Sequence, residues 1–186
     1  MQCSYRTITT LPCSIYGTSV KSCRFDWHQA ICHARCRHVP VDFTKDNVTE
    51  CLITAGFDPS VKSFFSWLGV VYYLSVEAID TMFTALSKLC ADGSTIVFDY
   101  PDENFFDACE RRVQNTIMMA KAGGEPMQSA FSYTELEKLL EKHGFLIYEL
   151  LTPDDIQKDI IDKAGADMKA FEHVNYCLAV RKDEIL

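Results

Sequence analysis

The sequence predicts an α/β protein in which helices cover both faces of a largely parallel sheet. Strand-like and helical segments alternate from about residue 38 onward. The strand-like segments are short and rich in β-branched and aromatic residues, and the helical segments are amphipathic with recognisable ends. In sheets of this kind, ligands bind at the carboxyl ends of the strands. A functional site is therefore expected where glycine or polar residues follow predicted strands.

The composition sets limits on partners and location. A chain of 186 residues is typical of one domain, and a net charge of -8 disfavours binding to a phosphate backbone, so no nucleic-acid partner is predicted. No apolar run is long enough to span a membrane, and the first residues lack the features of a signal peptide. We therefore expect a cytoplasmic protein that does not associate with membranes.

Residues 1–37 differ in composition from residues 38–186. The first segment holds five cysteines and five basic residues against the single acid Asp26, and it shows no sustained helical or strand period. We expect this segment to be poorly ordered and residues 38–186 to form the folded part. Cysteines and histidines are dense at the end of the segment: Cys23, His28, Cys32, His33, Cys36 and His38. Their spacing matches no standard zinc motif, so no metal site is predicted.

The first regular strand is "HVPV", which ends at Asp42 and Phe43. A second strand-like segment, "VKSFFSW" at residues 61–67, ends two residues before Gly69. Asp42 could instead cap a turn in "DFTKDN". Plain core packing is at least as good an explanation as ligand contact for the first two aromatic residues of the second segment. Both interpretations stay open at this stage.

An amphipathic helix is predicted to begin after Ser75, which can cap its first turn, and to end before Gly93. Its apolar residues recur at three- and four-residue spacing: Ile79, Met82, Phe83, Leu86, Leu89 and Cys90. The run "STIVFDYP" then predicts a buried strand that Pro101 stops, with Asp99 near its carboxyl end. "DYPDEN" also has the composition of a turn, so the role of Asp99 stays open.

The remaining elements alternate in the same way. Residues 104–121 predict a helix, and a second helix begins at Ser132, which forms a capping-box pattern with Glu135. A strand at residues 145–151, a short helix after Pro153 and an alternating strand in "FEHVNYCLAVRK" follow. We expect His143 and His173 to be a helix-end and a strand residue rather than catalytic bases.

Four blocks of this sequence carry a resemblance to a known family. They are "VPVDFTKDN", "AGFDPS", "FFSWLGVVYYLSVEAIDTMFTAL" and "GSTIVFDY", and the later "FSYTELEKLLEKHGF" and "HVNYCLAVRK" support them. Together, over roughly residues 37–182, they resemble the S-adenosylmethionine-dependent methyltransferases related to leucine carboxyl methyltransferase. The resemblance implies a Rossmann-like class I methyltransferase sheet whose last strand runs antiparallel.

The resemblance also implies a cofactor, a reaction and a set of site residues. The cofactor is S-adenosyl-L-methionine, and the reaction is O-methylation of a carboxylate or another small-molecule acceptor. Asp42 and Phe43 match the family's acidic and apolar pair beside the adenine, and their chemistry suits that role. Trp67 and Gly69 are expected to contact the cofactor, since an aromatic face attracts a sulfonium cation and glycine allows close backbone approach.

The acceptor side of the expected pocket comes from the same block. Tyr72 and Tyr73 are assigned to the substrate pocket, and Phe64 and Phe65 could complete an aromatic lining. A carboxylate acceptor is ionised at neutral pH, so no catalytic base is required, and alignment with exclusion of water would supply the rate enhancement.

Two features depart from the family pattern. Many relatives carry Glu immediately before the glycine of this block, where this chain has Leu68. Residues 1–37 contain one glycine, Gly17, and no glycine-rich cofactor motif, so the sheet is expected to lack its first strands. The alternative function is therefore a non-catalytic fragment that acts as an interaction module and self-associates through an exposed sheet edge.

Overall fold

The structure is a computed structural model that describes residues 6–10, 37–41 and 46–182. Strand β1 (Arg6–Thr10) pairs antiparallel with strand β2 (Arg37–Val41) to form a two-stranded sheet. The sequence predicted β2 but not β1. It also placed β2 in the main sheet, and that placement is wrong, because β2 belongs to this separate ribbon.

The main sheet, as far as the described residues form it, has four strands in the order β3-β4-β6-β5. Their bounds are β3 (Phe64–Trp67), β4 (Thr95–Pro101), β5 (Phe145–Leu151) and β6 (Val174–Arg181). Strand β3 runs parallel to β4, whereas β6 runs antiparallel to both of its neighbours. Strands β3, β4 and β5 therefore share one direction and only β6 is reversed, which confirms both the largely parallel sheet and the antiparallel last strand that the resemblance implied.

Within the described residues, five α-helical segments accompany the strands. They are α1 (Val48–Thr54), α2 (Val76–Leu89), α3 (Arg111–Ala122), α4 (Tyr133–Lys142) and α5 (Pro153–Asp155). A π-helical stretch, Ile156–Asp162, continues α5. The predicted caps are present: Ser75 accepts from the Ala78 N–H, and Ser132 forms a reciprocal capping box with Glu135.

The helix predicted over residues 104–121 is interrupted. A short 3-10 turn covers Phe105–Asp107, and α3 begins only at Arg111. Between them, Ala108 adopts a non-helical conformation with φ -59° and ψ 136°. Phe105 is buried in a cluster with Val113, so core packing fixes this bend against the helical propensity of the local sequence.

The two faces of the sheet carry separate apolar clusters. Alternate β4 residues, Ile96 and Phe98 among them, pack into the main core with residues of α2 and α4. The opposite face contacts a smaller cluster that includes Val113 of α3 and Val174 of β6. Helices thus cover both faces, which confirms the predicted α/β class. In the part of the chain that the structure describes, no helix is long and apolar enough to cross a membrane.

Candidate functional site

The carboxyl ends of the parallel strands β3 and β4 lie side by side, because Trp67 is in register with Phe98. The turn after β3 contains Gly69, whose φ of +71° lies in the left-handed region. Its N–H donates a hydrogen bond of 2.7 Å to Oδ1 of Asp99. This bond joins the turn after β3 to the adjacent strand β4.

Asp99, near the carboxyl end of β4, is buried, with 7% of its surface exposed. Burial raises the pKa of Asp99, and this effect exceeds the opposing one of the Gly69 N–H bond. Tyr176 lies opposite Asp99 on β6. Burial and then the nearby Asp99 carboxylate raise the pKa of the Tyr176 phenol. The sequence left the role of Asp99 open, and the structure shows it as a buried acceptor that holds the glycine turn.

Trp67 is also buried, with 7% of its surface exposed. Its ring packs edge-on against Phe83 at 5.9 Å and in a tilted contact with Phe98 at 6.5 Å. The indole Nε1 is buried and has no hydrogen-bond partner among the described residues. An unpaired buried N–H costs about 1–3 kcal/mol, so this group needs an acceptor that the described protein atoms do not supply.

Tyr72 and Tyr73 lie in a 3-10 turn at Val71–Tyr73 that follows the glycine. Their rings are 4.8 Å apart. The Tyr72 hydroxyl lies 3.6 Å from the position that a Cβ on Gly69 would occupy. The structure therefore brings these two tyrosines together with Gly69 at the strand edge.

The other aromatic residues of the block do not join this group. Phe64 is 63% exposed and points away from the main core, since side chains alternate along β3. Phe65 is half-buried against the core, with its ring 5.8 Å from that of Phe57. Plain packing thus accounts for Phe65, and the five rings do not form one continuous lining. Asp42 and Phe43 lie outside the described residues.

Two residues that the sequence did not single out hold the tyrosine turn. The backbone N–H of Gln128 donates to the Tyr72 carbonyl, and its side-chain amide donates to the Tyr73 carbonyl, both at 2.7 Å. The Ser129 hydroxyl donates to the Val71 carbonyl at 3.0 Å. Residues 126–130 have no helical or strand period, so nothing in the sequence marked this contact.

His143 and His173 have carboxylate partners that their sequence neighbours did not reveal. The His173 ring lies between Asp102, 3.0 Å from Nδ1, and Glu110, 3.3 Å from Nε2. Partial burial lowers the pKa of His173, but the Asp102 and Glu110 contacts outweigh it and the net pKa is raised. His143 Nε2 lies 2.9 Å from Asp80 on α2. These pairs join distant elements.

A shallow cleft of about 480 Å³ lies elsewhere, between β2 and α1. It is lined by Val39, Pro40, Glu50, Cys51, Thr54 and Ala55. None of the strand-edge residues Trp67, Gly69 and Asp99 contributes to it. The described residues contain no cluster of three metal-ligating side chains, and the Cys- and His-rich stretch before residue 37 lies outside them.

Strand order, the antiparallel last strand and helices on both faces define a Rossmann-like class I methyltransferase fold. The crystal structure of a DUF574 family protein from Streptomyces avermitilis supports this fold with a TM-score of 0.54. The match covers 73% of this chain and 53% of that protein at 14% identity.

Sequence comparison finds methyltransferases among the proteins similar to this chain. The family model described as leucine carboxyl methyltransferase matches residues 17–87. "Putative S-adenosyl-L-methionine-dependent methyltransferase YktD" of Bacillus subtilis is 44% identical over 146 residues, which are 77% of this chain and 48% of that protein. A protein of Mycolicibacterium smegmatis with the same general description is 27% identical over 88% of this chain and 54% of its own length. Over these residues the chain is similar to the methyltransferases related to leucine carboxyl methyltransferase. It spans about half the length of these two relatives.

Proposed function

We propose that this chain binds S-adenosyl-L-methionine at the carboxyl ends of β3 and β4 and serves in O-methylation of a small-molecule acceptor. The family and the names of its relatives support the cofactor. The observation in the structure that carries the proposal is the buried Trp67 N–H. It has no hydrogen-bond partner within residues 46–182 or the two described strands before them, and it lies near the carboxyl end of β3, where this fold class binds ligands.

The residues at this edge fit the proposed cofactor. The nucleotide and amino-acid parts of the cofactor offer nitrogen and oxygen acceptors for the Trp67 N–H. The paired rings of Tyr72 and Tyr73 offer faces that attract a sulfonium cation, and Gly69 has no side chain that would keep a ligand away from the backbone. We assign Asp42 and Phe43 to the adenine, because a carboxylate can accept from its amino group while a ring packs against its face.

The cofactor supplies an electrophilic methyl group: the acceptor oxygen forms the new O–C bond as the C–S bond breaks, and the electron pair of that bond stays on sulfur. We favour a carboxylate as the acceptor, since it is ionised at neutral pH and needs no base. Such a site works by alignment of the acceptor and exclusion of water.

A second candidate function is an interaction module that pairs with another copy of the chain. Among the described strands, β3 is hydrogen-bonded only to β4, so its other edge is open to pairing. Phe64 on this strand is 63% exposed, and the chain spans about half the length of its relatives. Binding of a second copy would cover this edge and the exposed ring.

Calorimetric titration with S-adenosylhomocysteine, the product form of the cofactor, tests the first proposal. We expect saturable binding to the full chain, weakened about fivefold in Trp67→Phe, because this variant keeps a ring but loses one hydrogen bond worth about 1 kcal/mol. Asp42→Ala should weaken binding as well. Tyr148→Phe, on a distant and exposed residue, serves as the control.

The outcomes separate the two candidates. An absence of binding heat together with a dimer that dissociates on dilution would reject the cofactor proposal and favour the interaction module. Binding that is equally strong in Trp67→Phe would show that this N–H does not contact the ligand. A monomer at all concentrations would reject the module.

A further inference from the structure

The linker between α3 and α4, residues 123–132, passes around the carboxyl edge of the sheet. Helix α3 packs against one face through Val113, whereas α4 packs against the other through Leu136. Within the linker, Met127 contacts the smaller cluster and Phe131 is buried in the main core. The residues between these two anchors therefore cross the edge at which β3 and β4 end.

The linker is hydrogen-bonded to both strand ends. The Phe131 N–H donates to the Pro101 carbonyl at the end of β4 at 3.0 Å. On the β3 side, Gln128 and Ser129 belong to no helix or strand. They donate hydrogen bonds to the three successive carbonyls of the Val71–Tyr73 turn. The carbonyl of each residue in the turn thus accepts one hydrogen bond from Gln128 or Ser129.

A 3-10 turn of three residues is weak by itself. Two internal bonds close this one, from the Tyr73 N–H to the Val70 carbonyl at 3.1 Å and from the Leu74 N–H to the Val71 carbonyl at 3.0 Å. Ser129 is 2% exposed, so its hydroxyl bond is shielded from competing water. The orientation of Tyr72 and Tyr73 therefore depends on a segment more than fifty residues away in sequence.

We infer that Gln128 and Ser129 are positioning residues, which set the tyrosine turn and form the acceptor-side rim of the candidate site. The ligand part of this inference rests on the proposed function. The positioning part rests on the three hydrogen bonds alone. Because the Gln128 side chain is exposed beside the turn, the same dipeptide is placed to influence which acceptor can approach.

Two variants and two readouts test the inference. Ser129→Ala removes the buried hydroxyl donor, and Gln128→Glu replaces the amide donor with a group of similar shape that cannot donate when ionised. Hydrogen exchange of the Tyr73 and Leu74 amides should accelerate about fivefold in each variant, as expected for loss of one hydrogen bond. The Leu140 amide in α4 serves as an internal control for global unfolding. The second readout is the affinity for S-adenosylhomocysteine, which should fall in both variants.

The two readouts distinguish the possible failures. Unchanged exchange at residues 73 and 74, or equal acceleration at Leu140, would overturn positioning of the turn. Local acceleration with unchanged ligand affinity would show that the turn does not shape the site. If the unaltered chain binds no ligand, the proposed function fails, while the exchange experiment still decides whether the linker positions the turn.

Discussion

Replacement of Asp99 tests the central contact of the candidate site. Asp99→Ala removes the acceptor of the Gly69 N–H, whereas Asp99→Asn retains an oxygen at that position and removes only the charge. A hydrogen bond between uncharged groups contributes about 0.5–1.5 kcal/mol. We therefore expect Asp99→Ala to be about 0.5–1.5 kcal/mol less stable than Asp99→Asn. At about 2–4 °C per kcal/mol for a domain of this size, the melting temperatures should differ by roughly 1–6 °C.

The pH dependence of the same pair gives an independent check. Burial raises the pKa of Asp99 in the folded state, so the folded chain retains this proton to higher pH than the unfolded chain does. As pH rises above about 3.9, the ordinary value for Asp, and through the folded pKa, the unaltered protein should lose stability relative to Asp99→Asn. Above the folded pKa the difference should become constant.

Urea unfolding followed by circular dichroism between pH 4 and pH 8 measures both effects. Equal stability of Asp99→Ala and Asp99→Asn would refute the role assigned to the Gly69 bond. A gap between the unaltered protein and Asp99→Asn that does not change with pH would refute the raised pKa.

Two further predictions concern contacts outside the candidate site. Because the folded-state pKa of His173 is raised, its stabilising contribution should be complete below about pH 6.5 and lost as pH rises through the folded pKa. Urea unfolding of His173→Asn, whose side chain tolerates the φ of 61° at this position, should not show this loss. The same pH dependence of stability in the variant and the unaltered protein would contradict the role of His173. Ser132→Ala should lower the free energy of unfolding by about 1 kcal/mol through loss of the helix cap, whereas Ser132→Asp should retain most of it, and thermal unfolding of both variants decides the matter.

Local patterns in the sequence were sufficient to predict most of the helices and strands. The caps at Ser75 and Ser132 and the apolar spacing of α2 identified elements that the structure contains, because their signals lie within a few residues. Strand β1 escaped detection, since its pairing with β2 depends on a partner about thirty residues away. The bend before α3 was missed because burial of Phe105 overrides local propensity.

The candidate site was predictable only in part. Gly69 and Asp99 were visible as strand-end residues, but their hydrogen bond depends on the parallel register of β3 and β4. The aromatic block could not be divided into buried, exposed and edge residues until the direction of each side chain was known. Gln128 and Ser129 carry no local signal, because their role comes from where the linker passes.

The position of β6 has a consequence for how the chain is synthesised. In the sheet, β6 lies between β4 and β5, yet it is made after both. When β5 has left the ribosome, β6, which is its only hydrogen-bonding partner in the described sheet, has not yet been synthesised. Leu146 and Tyr148 then lie on an unpaired nascent strand. A chaperone that binds exposed β-strands can act between the synthesis of β5 and that of β6. A chain released from a ribosome that stalled before residue 174 would lack β6, so β4 and β5 could not join in the main sheet.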